Sequence, residues 1–340
     1  MNKTILGASV LAASLFLSAC ADEEAEQPQD EPKEEVTQQE EEQPQQQEEQ
    51  QSEETNKEGK IAQHEFYQPF DGSIEHIHGL GYAGNQDALF LATHHGVKVY
   101  ENGSWYETKE NHHDYMGFTP VDKGFFTSGH PEEGSELPNP IGLKRSFDNG
   151  QTLEDVGFEG QSDFHALAAG YNNHALYVYN AHENKKIGQG LFVSKDDGKT
   201  WNEINIEQLG EQIFAIAAHP TDEKVLAVSG KDGVFLSTDG GETFNSMKPG
   251  RQGTAVYFTE NSFYYGTFKA GNPSLTKYSL SDKSEETVAL PEIQDDAVMY
   301  FTQNPKDENE MAFVTFNGNV YFTDNGTENW QTIVEQGALK

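Results

Sequence analysis

The apolar residues of this chain lie in short runs that alternate with turn-forming residues from residue 61 to the C-terminus. The runs are rich in Val, Phe, Tyr, Leu and Thr, and Gly, Asn and Asp separate them. Runs of this length and composition are typical of β-strands, and none carries the periodicity of an amphipathic helix. The pattern therefore predicts an all-β fold.

Four such runs recur roughly every 40 to 50 residues, and this period predicts the four-stranded blades of a β-propeller. We align the innermost strands on HIHGL (76–80), DYMGF (114–118), DFHAL (163–167), QIFAI (212–216), TAVYF (254–258) and DAVMY (296–300). Because six blades fill residues 74–336, we expect a six-bladed propeller, with a seven-bladed one as the alternative. Residues 61–70 are expected to supply an extra strand that closes the ring.

Four stretches share a turn motif: SFDNGQTL (146–153), SKDDGKTW (194–201), STDGGETF (237–244) and FTDNGTENW (322–330). The pattern Ser-x-Asp-x-Gly-x-Thr-Trp resembles the Asp-box, or BNR repeat, of sialidase-like and glycosylhydrolase-like β-propellers. In such a hairpin glycine permits a positive φ, and the Asp and Ser side chains hydrogen-bond the backbone of the turn. The resemblance implies a propeller over residues 74–336 and a structural role for the motif residues.

The N-terminal residues indicate export and lipid attachment. Residues 1–20 combine one basic residue, Lys3, with an apolar stretch too short to cross a bilayer, which predicts a secretory signal peptide. Residues 17–20 resemble the lipobox of bacterial lipoproteins, and Cys20 is the only cysteine of the chain. The resemblance implies lipidation of Cys20, contact with the membrane through this anchor alone, and an extracytoplasmic location on the bacterial cell membrane.

The next segment, residues 21–60, is strongly acidic. It holds 16 acidic and 3 basic residues, and Val36 is its only large aliphatic residue. Because this composition cannot bury enough apolar surface to fold, we predict a disordered tether that leads to a propeller domain of residues 61–340. The domain keeps about −23 of the total net charge of −35, which argues against a nucleic acid partner and favours cations.

The first and third residues of each aligned segment share a strand face, and that face lines the central channel of a propeller. The first positions are all polar: His76, Asp114, Asp163, Gln212, Thr254 and Asp296. The third positions are His78, Met116, His165, Phe214, Val256 and Val298. One half of this layer therefore carries metal-ligating side chains, and the other half is apolar.

Further histidines follow the second strands of blades one to three, in ATHHG, TSGHP and YNAHE, and precede blade two in NHHD. The loops that enter first strands and leave second strands lie on one face of the disc. Nine of the twelve histidines are therefore expected on that face: His76, His78, His94, His95, His112, His113, His130, His165 and His182.

Imidazole, carboxylate and thioether groups together suit copper or zinc. We therefore predict a transition-metal site at the channel mouth, with His76, His78 and His165 as the first ligand candidates. Six further residues are second-rank ligands or outer partners that orient the ligating rings: His94, His95, His130, Asp114, Asp163 and Met116. The alternative is an acidic, His-rich mouth with no defined ligand.

Two other classes of function stay open, so the sequence does not decide whether the protein is an enzyme. The Asp-box resemblance implies a glycoside hydrolase or a glycan-binding protein, and Asp114 and Asp163 are the catalytic candidates because glycoside hydrolysis needs paired carboxylates. A true sialidase is excluded, since it holds its substrate with three arginines and this chain has only Arg145 and Arg251. The remaining class is a protein-binding assembly scaffold.

Other cofactors receive less support. We expect no nucleotide, because KDDGKT (195–200) lacks the spacing of a P-loop. The acidic pairs at 196–197 and 295–296 make calcium a second candidate cation, although they lack the ligand spacing of an EF-hand. We expect the chain to be a monomer.

Overall fold

The computed structural model describes residues 60–293 and 295–340. The predicted signal peptide, Cys20 and the predicted tether up to residue 59 lie outside these residues. A 3₁₀ helix at Ile61–Gln63 opens the described part of the chain, and no helix there combines the length and the hydropathy needed to span a membrane.

Six antiparallel sheets follow, each built from strands that are consecutive in the chain. Blade one holds β1 (Tyr67–Pro69), β2 (Ile77–Gly81), β3 (Leu89–Thr93), β4 (Gly96–Glu101) and β5 (Ser104–Thr108). Blade two holds β6 (Asp114–Val121), β7 (Gly124–His130), β8 (Gly142–Ser146) and β9 (Glu154–Gly157). Blade three holds β10 (Leu167–Ala169), β11 (Leu176–Asn180), β12 (Gly190–Ser194) and β13 (Asn202–Ile204).

The second half of the chain repeats this plan. Blade four holds β14 (Ile213–Ala218), β15 (Leu226–Gly230), β16 (Gly233–Ser237) and β17 (Asn245–Ser246). Blade five holds β18 (Gln252–Phe258), β19 (Ser262–Lys269), β20 (Asn272–Ser279) and β21 (Glu285–Val288). Blade six holds β22 (Val298–Asn304), β23 (Asp307–Thr315), β24 (Val320–Thr323), β25 (Gln331–Glu335) and β26 (Ala338–Leu339).

The first strands of successive blades pack against one another, and β22 of blade six returns to β2 of blade one. The protein is therefore a six-bladed β-propeller, which confirms the predicted fold class and blade count. Neighbouring blades share apolar layers, such as the one in which Leu191 and Val193 of blade three meet Ile216 and Leu226 of blade four. These layers supply the non-directional stabilisation expected of buried apolar surface.

The innermost strands carry a β-bulge near the channel mouth. In blade one the pairing passes from Ile77 with Thr93 to Gly79 with Ala92, so His78 is the inserted residue. Met116 holds the corresponding place in blade two, Phe214 in blade four and Met299 in blade six. Because a bulge re-aims the side chain at the insertion, it helps to turn His78, Phe214 and Met299 into the channel that they line.

The ring closes through its first and last segments. Strand β1 does lie within residues 61–70 as an extra strand, but it pairs with β5 on the outer edge of blade one. The seam itself is joined near β26, where the Ile74 N–H donates to the Gly337 carbonyl at 2.8 Å and Ser73 forms a bridge with Ala338.

The hairpins between third and fourth strands share one hydrogen-bond pattern in blades two, three and four. In blade three, Ser194 Oγ donates to Asp196 Oδ1 at 2.9 Å and accepts from the Gly198 N–H at 2.9 Å. Asp196 also accepts from the Thr200 N–H and hydroxyl at 2.8 and 2.6 Å. Blade six differs, because Thr323 and Asn325 replace the serine and the aspartate.

Candidate metal centre

The channel and its mouth are built by the first strands of all six blades. These strands line a cavity of about 120 Å³, and His78, His165, Phe214 and Met299 are among its lining residues. Histidine thus comes from blades one and three, while blades four and six contribute apolar side chains. This division matches the predicted split of the layer into a ligating half and an apolar half.

Three side chains at the mouth form what we call the inner set: His78, His94 and Asp114. One potential ligand atom from each lies within 4.8 Å of the other two. His78 occupies the bulge of β2, His94 is the first residue after β3, and Asp114 begins β6. The inner set therefore joins blade one to blade two.

Two atoms of the inner set are buried without a hydrogen-bond partner, His78 Nε2 and Asp114 Oδ1. His94 Nε2 lies 3.7 Å from Asp114 Oδ1, which is beyond hydrogen-bond distance. Burial, together with the neighbouring rings of His94, His165 and His76, lowers the pKa of His78 to about 4. His78 is therefore a neutral imidazole near pH 7, which is the form that ligates a metal.

His94 is sandwiched between two other imidazoles. Its ring centroid lies 4.6 Å from that of His76 and 4.7 Å from that of His78, with interplanar angles of 14° and 13°. His76 has a φ of 51°, a left-handed conformation that is uncommon outside glycine. The structure therefore brings His76, a first-ranked ligand candidate, to the site as the outer ring of a stack.

A second group, which we call the outer set, consists of His130, Asp163 and His165. Asp163 Oδ2 lies 2.9 Å from His165 Nε2 and 3.4 Å from His130 Nε2. The hydrogen bond between Asp163 and His165 raises the pKa of His165 and lowers that of Asp163. Asp114 also raises the pKa of His165, and His165 lowers that of His78, so the two sets lie within electrostatic reach of each other.

Blade two holds the outer set in place through a buried serine. Ser128 Oγ, on β7, accepts a hydrogen bond from the Phe164 N–H at 2.9 Å and donates to the Gly142 carbonyl at 2.7 Å. Phe164 lies between Asp163 and His165 in the chain, so this bond fixes the backbone that carries both. His130 is held separately, with its Nδ1 2.7 Å from Asn139 Oδ1.

The remaining histidines predicted on this face have other roles. His112 Nε2 lies 2.7 Å from the Thr108 carbonyl, and buried His113 accepts at Nδ1 from the Glu132 N–H at 3.0 Å. His95 and His182 are exposed, and among the described residues neither belongs to the inner or the outer set. The structure thus gathers five of the nine histidines. Met116 is half-buried at the bulge of β6.

The apolar half of the mouth differs from the sequence alignment in blade six. Val298, predicted to line the channel, is buried in the core, and Met299 lines the channel instead. The reason is that the bulge of β22 lies at Met299, the fourth residue of the aligned segment, whereas in blades one, two and four it lies at the third. Met299 and Phe316 also line a groove of about 460 Å³ that reaches His76 and His78. Phe316 is 50% exposed and Phe214 is 39% exposed.

The sequence analysis did not predict three residues that line the mouth or contact its histidines: Met299, Phe316 and Asn139. Phe316 follows the second strand of blade six, as His94 follows that of blade one, so comparison of second-strand ends could have found it. Met299 required knowledge of the bulge. Asn139 lies in a loop, and no periodic pattern predicts which side chain a loop residue meets.

Comparisons with known proteins agree with a β-propeller fold. A family model described as sortilin, neurotensin receptor 3 (Sortilin-Vps10) matches residues 142–287. No match was found among curated proteins.

Solved structures share the fold at low identity. An ancestral GH74 enzyme is 15% identical, with a TM-score of 0.50 over 79% of this chain and 40% of that one. The tricorn protease is 12% identical, with a TM-score of 0.52 over 79% of this chain and 27% of that one. This chain thus spans less than half the length of these two, and the likeness concerns the fold alone.

Proposed function

We propose that the protein is an extracytoplasmic lipoprotein, anchored through acylated Cys20, whose propeller binds a copper or zinc ion at the inner set. The observation that carries this proposal is the pair of buried atoms without partners, His78 Nε2 and Asp114 Oδ1, beside the ring of His94. A buried polar group left unsatisfied costs about 1–3 kcal/mol. A bound cation would satisfy both atoms at once.

The donor set also suits an open metal site. Two imidazoles and one carboxylate provide three ligands, and a tetrahedral ion such as zinc then keeps one position for water or another small ligand. Bond lengths of about 2.1 Å require ligand atoms roughly 3.4 Å apart. Because an imidazole binds a metal in the plane of its ring and the rings of His78 and His94 are stacked at 13°, the His94 ring must turn out of the stack on binding. His94 lies in the turn between β3 and β4, where such a movement disturbs no strand pairing.

Metal content of the full chain, purified in detergent, tests the proposal. After loading with Zn²⁺ or Cu²⁺ and dialysis, the wild type is expected to retain at least one equivalent. His78→Gln and Asp114→Asn, which keep side-chain size, are expected to weaken that site by at least about tenfold in a chelator competition. The matched control is His182→Gln, which changes an exposed histidine.

A wild type that retains less than about a tenth of an equivalent would refute metal binding, since a built site holds its ion through dialysis. Far-ultraviolet circular dichroism of each variant separates loss of a ligand from loss of the fold.

A second candidate function is a glycoside hydrolase-like activity at the same mouth. Exposed Phe214 lines the channel with His78 and His165, and exposed Phe316 lines the groove that reaches His76 and His78. A mouth that combines aromatic faces with carboxylates suits a sugar ring. A panel of glycosides tested with the wild type, Asp114→Asn and Asp163→Asn decides this point. Turnover that survives both substitutions would clear these residues of catalysis.

We further propose that the hairpins of blades two, three and four are Asp-boxes with a structural role. Their serine and aspartate oxygens are engaged by the turn itself, as Ser194 and Asp196 show in blade three. This use of Asp196 leaves its carboxylate poorly placed to hold calcium, so copper or zinc at the inner set is the better supported cation.

A further inference from the structure

Two residues at the mouth border both of its open spaces. Among the described residues, His78 and Met299 are the two that line the channel cavity and also the groove that reaches His76. They belong to β2 and β22, the first strands of blades one and six, which pack against each other where the ring closes. His78 and Met299 therefore lie side by side, between the channel and the groove.

The repeat of the fold places Met299 in the same layer as His78. Met299 is the inserted residue of the bulge in β22, as His78 is of the bulge in β2. Phe316 follows the second strand of blade six, as His94 follows that of blade one. A phenyl ring offers no ligand atom, so of these two positions in blade six only Met299 has one, its thioether sulfur.

A thioether beside the inner set changes which ion the site prefers. The carboxylate of Asp114 is a hard ligand that suits a divalent ion, whereas the sulfur of a methionine is a soft ligand that selects Cu⁺. Neutral imidazole suits both kinds of ion, and His78 is neutral near pH 7 because burial lowers its pKa to about 4. Met299 is half-buried, and its three rotatable bonds allow the sulfur to move toward an ion beside His78.

We propose that Met299 is a further ligand at the inner set and makes this site selective for Cu⁺. The proposal rests on the proposed function, because it adds a ligand to the same metal site and names the ion. His78 and His94 ligate the metal in either oxidation state. The third ligand differs, since Asp114 holds a divalent ion and Met299 holds Cu⁺.

Competition with chelators for Cu⁺ and for Zn²⁺ tests the proposal, with bicinchoninate as the Cu⁺ competitor in the absence of oxygen. Every protein is the full chain with Cys20→Ser, which removes its only thiol. Met299→Leu removes the sulfur and nearly conserves the volume of the side chain. It is expected to weaken Cu⁺ binding by at least about tenfold and to keep the Zn²⁺ affinity within about threefold of the parent protein.

Two matched variants control for the loss of a thioether elsewhere. Met247 packs against an apolar layer between blades four and five, so Met247→Leu is expected to match the parent protein for both ions. Met116→Leu removes the sulfur at the bulge of blade two and is also expected to keep the Cu⁺ affinity. X-ray absorption of the Cu⁺ complexes gives an independent readout, because copper–sulfur scattering is expected in the parent protein and both controls and absent from Met299→Leu.

Three results would overturn the role of Met299. A Cu⁺ spectrum of the parent protein without sulfur scattering would do so whether or not Met299→Leu folds. A Cu⁺ affinity that Met116→Leu lowers and Met299→Leu leaves intact would assign the thioether ligand to blade two. Equal losses of Cu⁺ and Zn²⁺ affinity in Met299→Leu would show a structural role. A parent protein that binds neither ion would instead refute the proposed function itself, so the two failures are distinguishable.

Discussion

Two histidines at the start of β2, one just before the strand and one within it, have different roles at this mouth. His76 and His78 both approach His94, but His78 presents a buried nitrogen without a partner, whereas His76 contributes a parallel ring. The bulge of β2 and the left-handed φ of His76 produce this difference. We therefore expect His78 to act as a ligand and His76 as a positioning residue.

Replacement by phenylalanine separates these roles. His76→Phe keeps a flat ring against His94, so the inner site is expected to hold Zn²⁺ with an affinity within about threefold of the wild type. His78→Phe removes a donor atom and is expected to weaken binding by more than about tenfold. Competition with a zinc-binding dye measures both, and equal losses in the two variants would contradict the assignment.

The aspartates of the hairpins make stability depend on pH. Hydrogen bonds from Thr200 and Ser194 lower the pKa of Asp196 from its ordinary 3.8 to about 2. The ionised carboxylate therefore stabilises the folded state above pH 4, and this contribution is lost as the pH falls toward 2. Urea midpoints of the wild type are expected to fall between pH 5 and pH 3.

Asp196→Asn is expected to show a smaller fall in midpoint over this range, because it removes the titrating group. The neighbouring variant Asp197→Asn is the matched control and is expected to behave as the wild type does. The same pH dependence in all three proteins would show that Asp196 is not involved.

At the scale of secondary-structure elements, the close approach of first strands fixes where glycine is needed. A Cβ atom on Gly117 of β6 would lie 2.0 Å from the carbonyl oxygen of Phe164, a residue flanked by Asp163 and His165. The backbones of blades two and three therefore touch beside the outer set. A side chain at this point must push the two blades apart.

Gly117→Ala is expected to destabilise the fold by about 1–3 kcal/mol, the usual cost of overpacking. Gly188→Ala is the control, since a Cβ there meets no atom within 4 Å, and its effect is expected to stay within about 0.5 kcal/mol. Urea unfolding measures both, and equal stability of the two variants would contradict close contact at Gly117.

Elements were predictable from sequence where they depend on local pattern. The period of the blades was predicted from the runs of apolar residues, and the hairpins were predicted from the Asp-box turns. Both features depend on residues that are close together in the chain. The alignment of blade six was wrong by one residue, because its bulge lies at the fourth residue of the segment, Met299, and the continuous apolar run around it gives no sign of that position. The position of β1 also depends on a long-range pairing, with β5, that composition does not specify.

On the scale of the whole molecule, stability depends on how the ring is closed. The last residues of the chain join blade six to the segment that enters blade one, through the Ile74 to Gly337 hydrogen bond and the bridge between Ser73 and Ala338. Within residues 60–293 and 295–340 these two backbone contacts join the ends of the ring, beside an apolar layer that Ile74 shares with Val320 and Val334.

Deletion of residues 337–340 is expected to lower the free energy of unfolding by about 2 kcal/mol, because it removes several backbone hydrogen bonds worth about 0.5–1.5 kcal/mol each. The control Lys340→Ala removes only an exposed ion pair with Glu335, which is worth little. Thermal unfolding of both checks this, and an unchanged melting temperature of the deletion variant would show that the seam holds without β26.

The candidate site was partly predictable at this scale. The sequence places histidines and aspartates in blades one to three, and the ring gathers five of these histidines. The sequence does not predict that these residues divide into an inner and an outer set, because the division depends on distances between residues of neighbouring blades. His94 with Asp114 and His130 with Asp163 are such pairs, each joining residues about 20 or more positions apart.

The inner and outer sets both lie in blades one to three, so the histidines and carboxylates of the mouth are confined to one half of the ring. Each set spans a seam, the inner one between blades one and two and the outer one between blades two and three. A ligand that binds only the folded state stabilises it by an amount that grows with the ratio of ligand concentration to Kd. Metal bound at the inner set is therefore expected to stabilise blades one and two more than the rest of the ring. Amide hydrogen exchange would slow in these two blades and stay unchanged in blades four to six.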